Sequence, residues 1–342
     1  MKNKIGSITL VACIALLVSA ISVHAEAGKG APEIIEVKRI WDNAPHNAFT
    51  DLIRFRGQWF CAFREGLDHV SDDGKLRVIR SADGIQWSSA ALLDWDGGDV
   101  RDAKLSVTAD GRLMLNSAVR FLQPAGGNEH QSVSWFSADG RNWSEAFADD
   151  SGLGTWRWSV TWHKGTAYSF GYSGKDVQGS LYRSGDGKVW EVAGDSLYPG
   201  GEFEGNETSL LFLEDDTAYC LLRRDAGSGA MGMLGVSSPP YDEWNWKSTG
   251  VRIGGPKMIR INDGRFLAAV RLYESKGWYP AHTGVGWIDP ESGLFTKILQ
   301  FPSGGDTSYA GMVRHEGEVW VSYYSSHEEK TAIYLARINI NE

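Results

Sequence analysis

Ser81-Ala-Asp-Gly-Ile-Gln-Trp87 decides the fold, because its pattern, Ser-x-Asp-Gly-x-x-Trp, returns at residues 137–143 and 184–190. The pattern predicts a tight turn between two strands. Its Asp accepts hydrogen bonds from turn amides, its Gly adopts a positive φ, and its Trp buries a ring beside the turn. The copies start at 81, 137 and 184, so they lie 56 and 47 residues apart. A period near fifty residues indicates a repeat in which each unit is one blade-sized sheet.

A second kind of hairpin, with two apolar strands around a Gly- or Asp-centred turn, extends the repeat along the chain. Its turn residues are Gly57, Gly111, Gly165, Asp216, Gly264 and Gly317. Residues 237–244 form a degenerate copy of the first turn. Six repeats predict an all-β protein, a six-bladed β-propeller of four-stranded antiparallel blades. The last repeat is one strand short, so we expect residues 33–41 to complete its blade and remove an open sheet edge.

The first 25 residues have the features of a secretory signal: Lys2 and Lys4, an apolar run, and a small-residue site at Val23-His24-Ala25. We expect cleavage after Ala25, and a secreted or periplasmic product with residues 26–342 as one domain. Leu10-Val-Ala-Cys13 resembles a lipoprotein box, but the apolar run continues past it, so lipidation is the less favoured alternative. No later run is long enough to span a membrane.

Charge and cysteine content narrow the classes of function. Without the signal the chain has 32 basic and 43 acidic residues, and it has no basic tract, which argues against nucleic-acid binding. Cys61 and Cys220 fall in repeats on opposite sides of the ring, so we expect two buried thiols and no disulfide. Local histidine and acidic spacings match no zinc or calcium motif, and no phosphate-binding loop is evident, so we expect no metal and no cofactor. We expect a monomer.

The three Ser-x-Asp-Gly-x-x-Trp turns resemble the Asp boxes of the sialidase (neuraminidase) superfamily. The resemblance extends through the blade pattern over the whole mature chain. It implies a propeller fold and an exo-glycosidase active site, while the Asp boxes themselves lie on turns remote from that site.

Polar residues cluster where the inner hairpins begin and end, positions that face the central channel of a propeller. We expect the substrate-binding residues to be Arg64, Arg101, Asp102, Lys104, Arg120, Trp158, Glu204, Arg223, Lys257, Arg271 and Asp306. Several basic groups converging on one channel favour an acidic ligand, here an acidic glycan or oligosaccharide.

Two segments are similar to the catalytic elements of sialidases. Asn206-Glu207, followed by Arg223 sixteen residues later, is similar to the Asn-Glu segment and its carboxylate-binding Arg. The segment around Tyr309 resembles the one that carries the nucleophilic Tyr. A neutral Tyr suits an anomeric carbon that bears a carboxylate, since an anionic nucleophile is repelled there. The resemblance therefore implies Tyr309 as nucleophile and Glu207 as its base.

The general acid and the exact sugar stay open at this point. The loop after the first inner hairpin, where the family has an Asp, contains Asp68, His69 and Asp72 as candidates. The family's Phe/Tyr-Arg-Ile-Pro motif is replaced by residues 48–51, Ala-Phe-Thr-Asp, so the first carboxylate-binding Arg is missing there, and Arg64 at the neighbouring strand end is the candidate to substitute for it. Sialic acid, another 2-keto-3-deoxy acid and a uronic acid all fit. The alternatives are a polysaccharide lyase on uronate-containing glycans and a non-catalytic glycan-binding propeller.

Overall fold

The computed structural model describes residues 31–201, 204–225, 229–275 and 277–341. The expected signal peptide, residues 1–25, and the lipoprotein box with Cys13 lie outside the described residues. Within those ranges, no helix has the length and apolarity needed to cross a bilayer. In the described part of the chain, the helical elements are two single-turn 3-10 segments, Asp150–Gly152 and Gly174–Asp176.

Six antiparallel sheets follow one another along the chain, which confirms the all-β six-bladed propeller. The strands of the first three blades are β2 His46–Phe55, β3 Gln58–Gly66, β4 Lys75–Ser81, β5 Ser88–Leu93; β6 Gly98–Val107, β7 Leu113–Ala125, β8 Asn128–Ser137; and β9 Trp156–Arg157, β10 Thr161–His163, β11 Thr166–Tyr172, β12 Ser180–Ser184, β13 Glu191–Gly194. Those of the last three are β14 Gly205–Phe212, β15 Ala218–Arg224, β16 Met233–Ser237, β17 Asn245–Ser248; β18 Ile253–Arg260, β19 Phe266–Tyr273, β20 Ala281–Ile288, β21 Phe295–Gln300; and β22 Thr307–His315, β23 Glu318–Ser325, β24 Ala332–Asn339, with β1 Glu33–Trp41 as the fourth strand.

The N-terminal strand closes the ring, as its alternating sequence predicts. Strand β1 pairs antiparallel with β24, from Glu33 opposite Asn339 to Trp41 opposite Ile333. Its partly buried face, including Ile34 and Val37, packs against the core between the last two blades. The edge of β24 is therefore covered.

Blade 2 departs from the four-stranded plan. Its sheet contains β6, β7 and β8, and the position of a fourth strand is taken by an irregular segment. That segment pairs with β8 only through isolated bridges, at Trp143 with Ser137 and at Phe147 with Ser134. The residues after the second Asp box, Ser-Glu-Ala-Phe-Ala-Asp-Asp, therefore do not continue as a regular strand.

The three Ser-x-Asp-Gly-x-x-Trp sequences, called Asp boxes here for their resemblance to that motif, form the turns between the third strand and the outer edge of their blades. In the first box, Ser81 Oγ accepts a hydrogen bond from the Gly84 amide (2.8 Å), and Asp83 Oδ1 accepts from the Ile85 and Gln86 amides (2.8 and 2.9 Å). Those amides, Gln86 first, lower the pKa of Asp83 to about 2. The Trp87 ring nitrogen donates to the Gly84 carbonyl (3.1 Å). The turn chemistry expected from the sequence is confirmed.

Each Asp-box glycine also lies against the preceding blade. A Cβ on Gly84 would lie 2.4 Å from the Trp320 ring, and one on Gly140 would lie 2.3 Å from the Phe60 ring. The boxes therefore contribute to packing between blades as well as to turn formation. In the degenerate copy at residues 237–244, the Trp244 ring nitrogen donates a hydrogen bond to the Tyr241 carbonyl (3.1 Å), as the Trp of the first turn does to its Gly carbonyl. Cys61 and Cys220 are buried free thiols, as expected.

Candidate active site

The inner strands of five blades each contain a β-bulge close to where the strand begins. The pairing with the second strand shifts between Ala48 and Asp51, Arg101 and Lys104, Gly205 and Thr208, Gly254 and Lys257, and Ser308 and Gly311. In blade 3 the inner strand is instead divided into β9 and β10. A bulge re-aims a side chain that regular alternation would send elsewhere. Bulge residues of different blades thereby come together, as the Phe49 and Tyr309 rings (5.2 Å between centres) and the Gly255 amide on Glu207 (2.7 Å) show.

Several bulge residues have an unusual backbone conformation. Phe49, Asp102 and Tyr309 have φ values of 63°, 59° and 51°. Such values are uncommon outside Gly, and they persist where the surroundings over-determine the conformation, often at functional sites. Gly255, with φ 53°, is needed for space as well, because a Cβ there would lie 2.7 Å from the Tyr309 ring.

Tyr309, Glu207 and Arg223 form one hydrogen-bonded group across the channel. The Tyr309 hydroxyl donates a short hydrogen bond to Glu207 Oε1. Arg223 Nη1 lies 2.5 Å from the same oxygen and 2.7 Å from the Tyr309 hydroxyl. The other Glu207 oxygen accepts from the Gly255 amide (2.7 Å). Residues more than 100 positions apart are therefore held in one geometry.

The two acidic groups of this pair are held in opposite protonation states. Burial raises the pKa of Glu207, but Arg223 and the hydrogen bonds from Tyr309 and Gly255 outweigh burial and leave that pKa below its ordinary value. Burial, aided by the Glu207 charge, raises the pKa of Tyr309 well above its ordinary value. A neutral phenol thus faces a carboxylate that can take its proton.

A second group is centred on Asp306, at the start of the last blade. Arg271 Nη2 donates to Asp306 Oδ1 (3.0 Å) and to the Tyr324 hydroxyl (2.7 Å), and Tyr324 donates to that same Oδ1 (2.7 Å). Arg271 Nε is bound to the Thr307 carbonyl (2.7 Å). No described residue accepts a hydrogen bond from Arg271 Nη1, so two N–H groups of this guanidinium remain for a ligand.

Two histidines share the other oxygen of Asp306. His46 Nε2 lies 3.1 Å and His69 Nδ1 lies 2.5 Å from Asp306 Oδ2. Burial raises the pKa of Asp306, but the hydrogen bonds from both histidines and the Arg271 charge hold it far below its usual range. His46 Nε2 and His69 Nδ1 each carry a proton toward the carboxylate, an assignment that follows from these hydrogen bonds. His69 Nε2 therefore remains available to exchange a proton with a ligand.

Further charged groups lie on the inner strands near Tyr309, with Lys104 Nζ 5.9 Å from the Tyr309 ring centre. Lys257 Nζ is 3.1 Å from Asp51 Oδ1, and Lys104 donates to the Thr50 carbonyl (3.1 Å) under the Trp158 ring. Asp102 is only 6% exposed, and no described residue makes a hydrogen bond to its carboxylate. Burial raises the pKa of Asp102 to about 6, with the Glu207 charge acting in the same direction.

The open side of the site is a cavity of about 580 Å³ lined by His69, Arg223, Arg271, Trp278, Tyr279 and Tyr309. Trp278 and Tyr279 are half exposed at its rim, and the Arg223 guanidinium lies 5.7 Å from the Trp278 ring centre. The cavity therefore joins two basic groups, a phenol, an imidazole and an aromatic rim. A polar ring with one hydrophobic face, such as a sugar, fits this composition.

Arg64, expected to bind the substrate, instead supports the loop after β3. Its side chain is fully buried, with Nε 2.7 Å from Asp99 Oδ1 and its other nitrogens on Asp68 and Ser71. It cannot reach a ligand in the cavity, so it does not replace the missing first Arg. Arg101 lies over the Phe49 ring at 5.0 Å and is paired with Asp99 (3.3 Å).

The candidates for the general acid separate clearly. Asp68 Oδ1 accepts a hydrogen bond from the His69 amide, and Asp72 is exposed and paired with Arg120 (2.9 Å). Only His69 among the three lines the cavity. Glu204 is exposed, and its backbone carbonyl accepts a hydrogen bond from the Asp225 amide (2.9 Å).

Sequence reasoning missed several residues of this site. Asp225 binds the Arg223 guanidinium through both carboxylate oxygens (3.2 and 2.9 Å). Its only signal in the sequence is an acidic residue two positions after Arg223. His46 gives no local signal, because its partner Asp306 is 260 residues away. Trp278 and Tyr279 lie in the β19–β20 loop, where adjacent exposed aromatics between Gly277 and Pro280 are a signal that could have been used.

The described residues form a six-bladed β-propeller with one polar site on its inner strands. No model of a known protein family matches the sequence, and no curated protein matches it either. Among solved structures, a protein of unknown function from Dyadobacter fermentans DSM 18053 is similar over 91% of this chain and 99% of its own, with 20% identity and a TM-score of 0.79.

Two sialidases are similar at lower identity. Trypanosoma rangeli sialidase with 2,3-difluorosialic acid, a covalent intermediate, matches 86% of this chain with 11% identity and a TM-score of 0.65. This chain spans just over half, 54%, of that longer protein. NanB sialidase from Streptococcus pneumoniae matches 90% of this chain and 71% of its own, with 11% identity and a TM-score of 0.65. Likenesses at these identities demonstrate the shared fold.

Proposed function

We propose that the protein is an exo-glycoside hydrolase that removes a terminal acidic sugar from a glycan, with Tyr309 as nucleophile. The observation that carries the proposal is the Tyr309–Glu207–Arg223 group on the wall of a sugar-sized cavity. Acidic sugars of the 2-keto-3-deoxy class or uronic acids are the candidate substrates. Secretion, which the N-terminal sequence suggests, would bring such an enzyme to extracellular glycans.

In the first step the Tyr309 oxygen attacks the anomeric carbon while its proton passes to Glu207 Oε1. The glycosidic C–O bond breaks, and His69 in its imidazolium form, with Nδ1–H on Asp306, gives its Nε2 proton to the departing oxygen. In the second step His69 takes a proton from water, which displaces Tyr309 from the sugar, and Glu207 returns the phenol proton. Splitting the displacement in two lets one neutral oxygen serve as nucleophile and leaving group.

The remaining charged groups hold the sugar. Arg271 offers two N–H groups to the sugar carboxylate, in the bidentate geometry that a guanidinium favours. Arg223 stabilises both Glu207 and the developing charge on Tyr309. Asp102, to whose carboxylate none of the described residues donates a hydrogen bond, is suited to accept one from a sugar hydroxyl. Trp278 and Tyr279 provide apolar surface for the leaving portion of the glycan.

Aryl glycosides of 2-keto-3-deoxy acids and of uronic acids test the proposal. We expect release of the aryl group from one class. A derivative of the accepted sugar with fluorine on the anomeric carbon, as leaving group, and on the carbon next to it should add covalently to the peptide that contains Tyr309, as mass spectrometry of a digest can detect. Turnover without a labelled Tyr309 would contradict the nucleophile.

A uronate lyase is the second candidate, because the His69–Asp306 pair beside Arg271 suits proton abstraction next to a neutralised carboxylate. A lyase would release an unsaturated sugar that absorbs in the ultraviolet, whereas a hydrolase would not. Absence of any turnover on both substrate classes and on uronate polymers would favour a glycan-binding propeller.

A further inference from the structure

His46, His69 and Asp306 bring three metal-ligating atoms together beside the cavity. His46 Nε2, His69 Nδ1 and Asp306 Oδ2 lie within 4.8 Å of one another. They come from the start of β2, the loop after β3 and the residue before β22, so no local spacing reveals them. The two imidazole rings are 5.7 Å apart at their centres and nearly perpendicular.

The surroundings of Asp306 resemble those of a metal-binding carboxylate. Its Oδ1 is held by the Tyr324 hydroxyl (2.7 Å) and Arg271 Nη2 (3.0 Å), which directs Oδ2 toward both histidines. Outer hydrogen bonds of this kind orient carboxylate ligands in metal sites. His46 is buried at 5% exposure, whereas the His69 side chain is 41% exposed and lines the cavity.

We propose that these three residues bind a divalent transition-metal ion of the zinc class. Two imidazoles and one carboxylate favour zinc over magnesium or calcium, which prefer oxygen ligands. Zinc bonds of about 2.0–2.2 Å place tetrahedral ligand atoms roughly 3.3–3.5 Å apart. Closing the 4.8 Å spread of the ligand atoms to that geometry requires a change of about 1.3–1.5 Å, which the exposed loop of His69 can supply. The fourth position faces the cavity and takes water.

The ion has a consequence for catalysis that rests on the proposed function. Coordination replaces the hydrogen bonds from both histidines to Asp306, and it fixes the His69 ring on the ion at the cavity wall, so that Nε2 no longer reaches the leaving oxygen. His69 then no longer donates a proton to the leaving oxygen. Zinc is therefore expected to inhibit turnover reversibly, and a chelator is expected to restore it.

Binding is measured on untagged protein, without any sugar, by titrating Zn²⁺ in competition with a chromophoric chelator. We expect one ion per chain, and visible absorption of a four- or five-coordinate centre when Co²⁺ is the probe. His46→Ala and His69→Ala should each weaken zinc binding at least ten-fold. His163→Ala is the matched control, because His163 is also paired with a carboxylate, Asp216 (2.6 Å), but has no second histidine there; it should bind as the wild type does.

Zinc binding as tight in His69→Ala as in the wild type would overturn the site, and this variant changes a half-exposed side chain and is expected to fold. A stoichiometry well below one, or loss of binding in His163→Ala as well, would also overturn it. Because binding is measured without sugar, it can succeed even if no glycoside is cleaved. Zinc that binds but leaves turnover unchanged would overturn the inhibition and the role of His69 as proton donor.

Discussion

Tyr309 and Glu207 share one short hydrogen bond, in which Tyr309 is a neutral phenol and Glu207 a carboxylate. A neutral nucleophile requires such a base beside it to take its proton. Tyr309→Phe removes a single hydroxyl, so the fold and ligand binding should survive while turnover falls by orders of magnitude. Glu207→Gln should have nearly the same effect, since it removes the base for the same step. Steady-state kinetics on the accepted aryl glycoside measure both losses.

The double variant is the control for this pairing. If both residues serve one step, the double variant should be little slower than either single variant, because residues that act as a unit are non-additive. Near-normal turnover of Tyr309→Phe would instead remove the Tyr nucleophile and favour the lyase chemistry based on His69.

Asp102 makes stability depend on pH. Its native pKa is about 6, against about 3.9 for an unperturbed Asp. Between these values the native state holds a proton that the unfolded chain has released, so the Asp102 contribution to stability falls as pH rises and is fully lost above pH 6. A shift of about two units corresponds to roughly 3 kcal/mol. Asp102→Asn should therefore be more stable than the wild type at pH 7.

The prediction is tested by measuring how the stability difference between Asp102→Asn and the wild type changes with pH. Thermal midpoints of Asp102→Asn and the wild type, compared from pH 4 to 7.5, should diverge through the interval from about 4 to 6 and then stay apart. Arg101, Lys104, Glu207 and His69 are the charged or titratable groups that act on Asp102. A difference that does not change with pH would show that Asp102 is not the titrating group.

At the level of elements, the Asp-box turns stabilise blades without touching the site. Trp190 is 5% exposed, donates to the Gly187 carbonyl (3.2 Å), and lies under the Arg157 guanidinium (5.0 Å). Trp190→Ala should lower the free energy of unfolding by about 3–5 kcal/mol. Chemical denaturation measures this loss, and the affinity of the folded protein for its sugar should hardly change.

Trp158→Ala is the matched comparison for that experiment. Trp158 is equally buried, at 1% exposure, but its ring lies 5.6 Å from the Tyr309 ring. This variant should lose both stability and sugar affinity. If Trp190→Ala also lost affinity tenfold at unchanged stability, the Asp box would be part of the binding site.

At the level of the whole molecule, the sequence predicts the repeated hairpins, but it does not predict which residues of distant repeats meet at the centre of the ring. The six hairpin turns, centred on residues such as Gly57 and Asp216, lie where the pattern predicts them, since turn chemistry is local. The bulges in the inner strands depend on how six strands crowd around one channel, so alternation alone could not reveal that Asp102 or Phe49 turns inward. The loss of a regular fourth strand in blade 2 is likewise a matter of tertiary packing.

The same distinction applies to the site. Glu207, Arg223 and Tyr309 were found through resemblance to a family, and the structure brings these three together. Arg64 is a candidate for substrate binding only because it ends a strand next to the missing Arg. Its side chain is buried, because Asp99 of the neighbouring blade binds its guanidinium. Convergence of His46 on Asp306 requires the ring to close, and no one-dimensional pattern contains that information.

Ring closure gives the last prediction, since β1 is the only strand that the last blade takes from the other end of the chain. Deleting residues 33–41 should uncover the edge of β24 and the apolar core that Ile34 contacts, so little folded protein should remain. Alanine variants of two neighbouring isoleucines distinguish the loss of packing against the core from the loss of side-chain atoms alone. Ile34 is partly buried against that core, whereas Ile35 is 44% exposed. Ile34→Ala should cost about 1–2 kcal/mol, and Ile35→Ala should stay within about 0.5 kcal/mol of the wild type. Thermal and denaturant unfolding measure both. A deletion variant that is soluble, with the thermal midpoint of the wild type, would contradict closure by the N-terminal strand, because a four-stranded last blade would then not be needed to hold the ring together.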